Sequence, residues 1–340
     1  MAKNLRPSVQ DVARLAGVSL GTVSNVLNNP GVVRRATAER VQQAISDLGF
    51  VRNDAARQLK AGKSKTLGLI VLDASNPFFS EVARGAEDRA VSLGYSLIVG
   101  NSGNDEDREN HYIGLFEEQR MAGVLVSPAG SDAQLVDELR SKHLRAVLVD
   151  RTAPNNSGCS VGVDDMAGGK LAAQHLIDQG RKRIAFVGGP LNIKQVRDRL
   201  SGASEVVNET AGATIRIIES AGMTVLAGRE IGDRLLAEDS KSRPDAIFAA
   251  NDLIAIGLLQ SFVFNSRIRV PEEIALIGYD DIGFAETAIV GLSSIRQPAK
   301  EIGKTSVDLL FDEIENLETH EHRQVTFRPE LVIRASSSCI

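Results

Sequence analysis

Apolar residues recur at helical spacing through the first fifty positions. Val9, Val12 and Ala13 fall on one face of a helix that Ser8 and Asp11 open as a capping box and that runs to about Leu15. Gly17 allows the positive φ of a tight turn, and Ser19 then caps a second helix from Leu20 to about Asn28. Val23, Val26 and Leu27 form its inner face; Leu20, Gly21, Ser24 and Asn25 form the outer one. A third helix is predicted over about 35–48, with Val41, Ala44, Ile45 and Leu48 at core spacing. Helix, short glycine turn and helix make the helix-turn-helix pattern, and an outer face of small hydrogen-bonding side chains suits a major groove. An ordinary small helical bundle has the same periodicity.

Next comes a short amphipathic stretch. Asn53 can cap a helix whose positive end suits Asp54 and whose negative end suits Lys60 and Lys63. Two turns fall below the roughly 12–15 residues of a marginal isolated helix, so the stretch should fold only against a partner. Ala55 and Ala56 permit close approach of another helix, and Leu59 can wedge between base steps in a minor groove. The plainer reading is a linker with one incidental leucine. Gly62-Lys63-Ser64 imitates the end of a phosphate loop, but Arg57 stands where the motif needs glycine and a strand follows, so that reading is rejected.

From Leu67 onward the rhythm changes. LGLIVLD, YSLIVGN, GVLVSP and AVLVDR are short apolar runs of the kind found in parallel strands buried on both faces, with helices predicted near 78–93, 107–120 and 132–140. The cycle restarts with RIAFVGGP, ATIRIIES, AIFAAND and ALIGYDD. The fold class expected is an all-α head plus an α/β body of two doubly wound parallel-sheet lobes. A late helix, about 299–315, and the closing QVTFRPELVIR should finish the lobes by crossing between them.

Charge sharpens this picture. Residues 1–65 hold eleven Lys/Arg and four Asp/Glu, a balance of +7, while the remainder carries −12. A basic head on an acidic body suggests a polyanion-binding module joined to something that should not bind polyanions. No stretch of about 18 uncharged apolar residues exists, so no membrane span is expected. MAKNLRPSVQ lacks the apolar region of a secretory signal, which argues for a cytoplasmic, nucleoid-associated protein. Cys159 and Cys339 form no motif, and structural roles are the default.

Ligands of doubly wound sheets bind at the carboxyl ends of the strands. There the sequence places Asp73, Asn76, Phe78 and Phe79, then Asp150 and Arg151, Arg197 and Arg199, Asn251 and Asp252, Asp280 and Asp281, and finally Gln297. Carboxylates, amides and guanidinium groups with two phenylalanines suit a small polyhydroxylated ligand, each polar group bridging adjacent hydroxyls. Taken singly, Asp and Asn often end strands merely as helix caps. The arginines leave room for an acidic sugar or sugar phosphate, the aspartates favour a neutral sugar, and a purine stays open.

An enzyme is the weaker reading. No nucleophile elbow, dinucleotide-binding glycine motif or zinc-ligand spacing is present, so no catalytic residue and no cofactor is expected. His175 beside Ala172 and Leu176 reads as a packing residue. His320 and His322 lack a clear third ligand and read as a solvated loop rather than a metal site.

DVARLAGVSLGTVSNVLN, RATAERVQQAISDLGFVRNDAARQL, LGLIVLDASNPFF, RMAGVLVSPAG, FAANDLIAIGLLQ and PEEIALIGYDD occur in that order. With them the chain resembles the lactose-repressor/galactose-repressor family of bacterial transcription regulators over nearly its whole length. The resemblance implies a homodimer on double-stranded DNA with a palindromic operator, and a small effector, a sugar or sugar derivative, held between the lobes of a periplasmic-binding-protein-like body. It implies Leu20, Gly21 and Asn25 at base edges and Ser19, Thr22, Ser24 and Asn28 mostly at phosphates. It implies a hinge helix over 53–61 with Leu59 inserted at the operator centre, and Asn53 and Ala56 beside it among the DNA-binding residues. It places Asn76, Phe79, Asp150, Arg151, Arg199, Asn251, Asp280 and Gln297 in the effector pocket, next to Asp73 and Phe78. The chain departs from the family in having Asn25 where arginine is usual after TVS and Arg52 where proline is common, and in lacking a leucine-heptad tail after Arg334. The domains expected are 1–52 (helix-turn-helix), 53–65 (hinge and linker) and 66–340 (two-lobed body). Its first lobe covers about 66–162 and 298–325, and its second about 163–297 and 326–340. The competing function is a cytosolic sugar-binding protein with no DNA role, which the +7 head argues against.

Overall fold

The computed structural model describes residues 7–50, 64–130, 132–142, 144–153, 157–264 and 268–338. The chain divides into two compact units, 1–63 and 64–340.

In the head, α1 (Val9–Ala16), α2 (Leu20–Asn28) and α3 (Arg35–Leu48) enclose a small core of Val12, Ala13, Ala16, Val23, Val26, Val41, Ala44 and Phe50. The Ser8–Asp11 capping box is present, and Gly17 takes φ 62° at the turn. Val9, expected on the inner face, is 36% exposed. It stands at the first position of α1, and Ala16, one turn after Val12 and Ala13, completes the inner stripe instead.

The body carries two sheets of the same strand order. The first lobe contains β1 (Thr66–Val71), α4 (Pro77–Ser92), β2 (Ser96–Asn101), α5 (Glu106–Glu118), β3 (Gly123–Val126), α6 (Asp132–Ser141), β4 (Ala146–Val149) and β5 (Cys159–Val163). The second contains α7 (Asp165–Asp178), β6 (Arg183–Gly188), α8 (Lys194–Glu209), β7 (Thr214–Glu219), α9 (Val225–Ala237), β8 (Ala246–Ala249), α10 (Asp252–Phe264), β9 (Ala275–Asp280), α11 (Gly283–Glu286) and β10 (Ser293–Arg296). The chain then returns to the first lobe through α12 (Ala299–Glu315) and β11 (Gln324–Phe327), and ends in the second with β12 (Glu330–Val332). The sheets run β2-β1-β3-β4-β5-β11, all parallel, and β7-β6-β8-β9-β10-β12, parallel except for β12. Among the described residues no helix is long and apolar enough to cross a membrane.

Three differences from the sequence expectation have physical causes. The strands β5 (CSVGV) and β10 (SSIR) were not predicted, because small polar residues break their apolar runs. YSLIVGN and ATIRIIES, expected to be buried on both faces, form the edge strands β2 and β7, where Ile98, Val99 and Ile217 stand about half exposed. Finally, β5 extends to Val163 and β11 to Phe327, so the first sheet ends just beyond the expected lobe boundaries at 162 and 325.

Close helix crossings hold each lobe's helices in place. A Cβ on Gly85 of α4 would meet the Lys300 backbone, and one on Gly303 of α12 would meet the Val82 carbonyl. Only hydrogen fits at either position, and neither neighbour is a side chain that could turn aside. Gly303→Ala should therefore lower body stability by about 1–3 kcal/mol in urea unfolding. Gly114→Ala in α5, with nothing within 4 Å of the added carbon, should instead be neutral or stabilising by up to about 1 kcal/mol. Equal effects from both would mean that the crossing is loose.

Candidate functional site

In the head, Ser19 spends its hydroxyl on the cap of α2, accepting from the Thr22 N–H at 3.1 Å and lying 2.9 Å from Thr22 Oγ1. Asn28 Nδ2 donates to the Ser24 carbonyl and Ser24 Oγ, at 2.8 and 3.2 Å. Gly21 and Asn25 are not buried, and Leu20 is 50% exposed although apolar. An uncovered leucine beside an amide gives this face one methyl-seeking and one base-edge-seeking group. Arg34 and Arg40, counted in the sequence only as net charge, add exposed cations for phosphates. Asn53, Ala56 and Leu59 lie outside the described residues.

In the body, a cavity of about 480 Å³ opens between the lobes at the carboxyl ends of the strands, within the usual range for small-ligand sites. Eight of the ten expected effector residues line it: Asp73, Asn76, Phe78, Phe79, Asp150, Arg199, Asn251 and Asp280. Arg151 is buried in the first lobe and donates to the Pro128 carbonyl at 3.0 Å. Gln297 sits behind the cavity wall, donating to Asp280 Oδ1 at 2.7 Å and facing a second opening beside Phe284 and Arg296.

Several of these groups are engaged by the protein itself. Asn76 caps α4 through Phe78 N–H at 3.0 Å, and Asn251 Oδ1 accepts from Ile254 N–H while its Nδ2 donates to the Met223 carbonyl. Asp73 Oδ1 accepts from Ser75 N–H and Oγ. Asn76 and Asn251 thus act as helix caps and Asp73 closes a local turn, whatever else they do. Phe78 and Phe79 meet edge to face, with ring centroids 5.1 Å apart.

The two lobes grip each other through matching devices. Asp150 follows β4 and Asp280 ends β9, the equivalent strand of the other sheet. Both have positive φ, 58° and 104°, a conformation that costs a non-glycine residue of order 1–3 kcal/mol and is kept where the surroundings fix it. Each accepts an amide from across the cleft. Gln195 Nε2, on α8 of the second lobe, donates to Asp150 Oδ2 at 2.6 Å and to its carbonyl at 2.9 Å. Asn76 Nδ2, at the start of the first helix of the first lobe, donates to Asp280 Oδ2 at 3.1 Å. The sequence reading missed Gln195. It lies one helical turn before Arg199 on the same face of α8, and that spacing was the available signal.

Arg199 is the cationic centre. Its Nε donates to Asp165 at 2.7 Å and its Nη1 to the Ala250 carbonyl at 2.8 Å; Nη1 lies 3.9 Å from Asp280, and the guanidinium stacks 3.6 Å over the Tyr279 ring. Burial opposes its charge, but Asp165, Asp280 and Asp150 hold it protonated. Arg197, by contrast, is exposed and bonds its own helix entry at the Asn192 carbonyl.

Burial pushes the carboxyls upward. Asp150 is raised by burial and by Asp165, against Arg199 and Arg151. Asp280 rises to about 6, burial outweighing Arg199 and its two amide donors. Glu109, buried on α5 and accepting from Ala129 N–H, rises to about 7, mainly by burial. Carboxyls raised in the folded state stabilise it below their unfolded values near 4, and that contribution is lost as pH rises through 6 to 7. The body should therefore be more stable at pH 5.5 than at pH 8, by on the order of 2 kcal/mol. Thermal melting across that range checks this; a midpoint that rises from pH 5.5 to 8 would contradict it. Asp150→Asn with Glu109→Gln should flatten the profile.

Comparison with known proteins agrees with this architecture. The model for bacterial regulatory proteins of the lacI family matches residues 8–53, and that for a periplasmic binding protein-like domain matches residues 173–337. The HTH-type transcriptional repressor PurR of Photobacterium profundum is 34% identical over 333 residues, 97% of this chain and 98% of that protein. PurR of Aliivibrio fischeri is 34% identical over 336 residues, with the same shares covered. A transcriptional regulator CelR–cellobiose complex superposes with TM-score 0.71 at 30% identity, covering 98% of this chain and all of that one. The lac repressor dimer bound to operator and the anti-inducer ONPF superposes with TM-score 0.82 at 25% identity, covering 98% and 99%. A DNA-binding helical head, two parallel-sheet lobes with a cleft between them, and relatives matched from end to end lead to one conclusion: the chain belongs to the LacI family of bacterial transcription regulators.

Proposed function

We propose that this regulator represses transcription as a homodimer on a palindromic operator, with its operator affinity set by a neutral polyhydroxylated effector, a sugar or sugar derivative. The observation that carries the effector class is the polarity of the cleft. Asp150 Oδ1 is a buried carboxylate oxygen with no protein donor among the described residues, and its side chain lines a cavity edged by Phe78 and Phe79. Such an oxygen calls for an O–H donor, and the phenyl rings suit the C–H face of a sugar ring. Asp73, Asp150 and Asp280 outnumber the cations lining the cavity, where Arg199 is already matched by Asp165. An anionic ligand such as a sugar phosphate is thereby disfavoured. The relative solved with cellobiose supports the sugar class.

The dimer rests on the apolar edge strands. Ile98 and Val99 on β2 and Ile217 on β7 are uncovered at the same end of both sheets, and bare edges of this kind are normally paired or covered. Residues 1–52 act as the DNA-reading domain, 53–65 as the hinge and 66–340 as the effector and dimer unit, in the cytoplasm and on the nucleoid. Leu20, Gly21 and Asn25 read bases. Ser19, Thr22, Ser24 and Asn28 hold phosphates. Leu59 acts at the operator centre, with Asn53 and Ala56 as further DNA contacts.

The test has two arms. The purified protein is incubated with sheared genomic DNA at near-physiological salt and the bound fragments are sequenced; one enriched palindrome is expected. Neutral sugars, sugar phosphates and nucleobases are then titrated into that complex. A shift with a neutral sugar alone supports the proposal. Lack of any palindrome overturns the operator reading, and a shift with a nucleobase or sugar phosphate alone overturns the effector class.

A further inference from the structure

Far from the cleft, at the outer edge of the first sheet, three side chains from distant parts of the chain meet. Cys159 opens β5, while His320 and His322 lie in the segment between α12 and β11. Cys159 Sγ is 3.2 Å from His320 Nε2 and 3.8 Å from His322 Nδ1, and the three ligand atoms lie within 4.8 Å of one another. Two donors bound to one tetrahedral zinc, with Zn–S near 2.3 Å and Zn–N near 2.05 Å, stand about 3.5 Å apart. The observed separations bracket that value.

The surroundings strengthen the case. The His320 side chain is 3% exposed, and its other ring nitrogen, Nδ1, is 2.8 Å from Asp312 Oδ2. With the proton held on Nδ1 by that carboxylate, the lone pair of Nε2 points toward Cys159. This is the carboxylate–histidine relay that orients metal-binding imidazoles. Arg323 and Asn316 in turn hold Asp312, at 3.1 and 2.8 Å. Beside the cluster lies a cavity of about 40 Å³ lined by Cys159, Glu313 and His322, enough for one water as a fourth ligand.

We propose that Cys159, His320 and His322 form a transition-metal site of the zinc class, with Asp312 as the positioning residue for His320. Binding replaces the thiol proton: the Cys159 S–H loses H⁺ to solvent and the sulfur bonds the metal. The bound ion ties the start of β5 to the segment that delivers β11 to the sheet edge. The sequence spacing alone hid it, because the third ligand lies 161 residues before His320.

The full-length protein, reduced and stripped with a chelator, is dialysed against Zn²⁺ and, separately, Co²⁺. One equivalent of zinc per chain and a thiolate-to-cobalt charge-transfer band are expected. Cys159→Ser should abolish the band, and His322→Gln should weaken retention at least about 100-fold. Asp312→Asn should weaken it about 10–100-fold, and Cys339→Ser should leave it unchanged. His322 is exposed, so its replacement removes a ligand without removing core packing, and it remains informative if Cys159→Ser fails to fold. No zinc retained by the wild type, or equal retention by Cys159→Ser and His322→Gln at the wild-type level, overturns the site.

Discussion

Replacing Arg199 by methionine should destabilise the body by about 3–5 kcal/mol, the cost of breaking a buried ion pair from one side. The residue is 4% exposed. Methionine fills much of its volume but leaves Asp165 Oδ1 and the Ala250 carbonyl without their donor and Asp280 without its nearest cation. The pH dependence separates this from lost packing. Near pH 8 Asp280, its carboxyl raised to about 6 even with Arg199 beside it, must stay charged without that cation or take up a proton, and the loss is largest. Near pH 5.5 protonation of Asp280 relieves it, and the loss should shrink. Guanidinium titrations at both pH values measure it, with Arg197→Met, whose side chain is exposed, expected to change stability by less than about 0.5 kcal/mol. A pH-independent loss would mean that Arg199 matters as a packing residue.

The second large effect concerns the head. Removing residues 1–62 should abolish operator binding, a loss of at least about 10³-fold, while effector affinity stays within about twofold. The two units are each compact, and the head has its own core. Calorimetry with the effector and fluorescence anisotropy with operator DNA check the two halves. A truncated body that kept specific operator affinity would overturn the assignment of DNA reading to α2. Loss of effector binding alone would mean that the cleft needs the head.

The head was almost fully legible in the sequence, because its signals are local: Ser8 with Asp11, Gly17, and Ser19 each specify their own turn. The body was legible where strands are apolar and central. It failed at β5 and β10, where Ser160, Ser293 and Ser294 are buried but bonded, and at β2 and β7, where apolar residues stand on an edge. The cleft followed the strand-end rule for eight residues. Gln195 and Asp165 escaped because their partners, Asp150 and Arg199, lie 45 and 34 residues away. Pairings at that range are fixed by how the lobes face each other, which no local pattern records.

The return of the chain to its first lobe also sets an order of events on the ribosome. The first sheet is nearly complete at Val163, yet its core still lacks Ile302, Val307, Leu309 and Leu310 of α12. Translation of the intervening stretch, at about 5–20 residues per second, takes roughly seven to thirty seconds. Throughout that interval the second lobe can fold while the first presents an uncovered apolar flank around Val82 and Ala86 to the cytosol. The nascent chain is then a natural client for a holding chaperone. A stop codon shortly after Gln297 would be as damaging to the first lobe as one placed inside it.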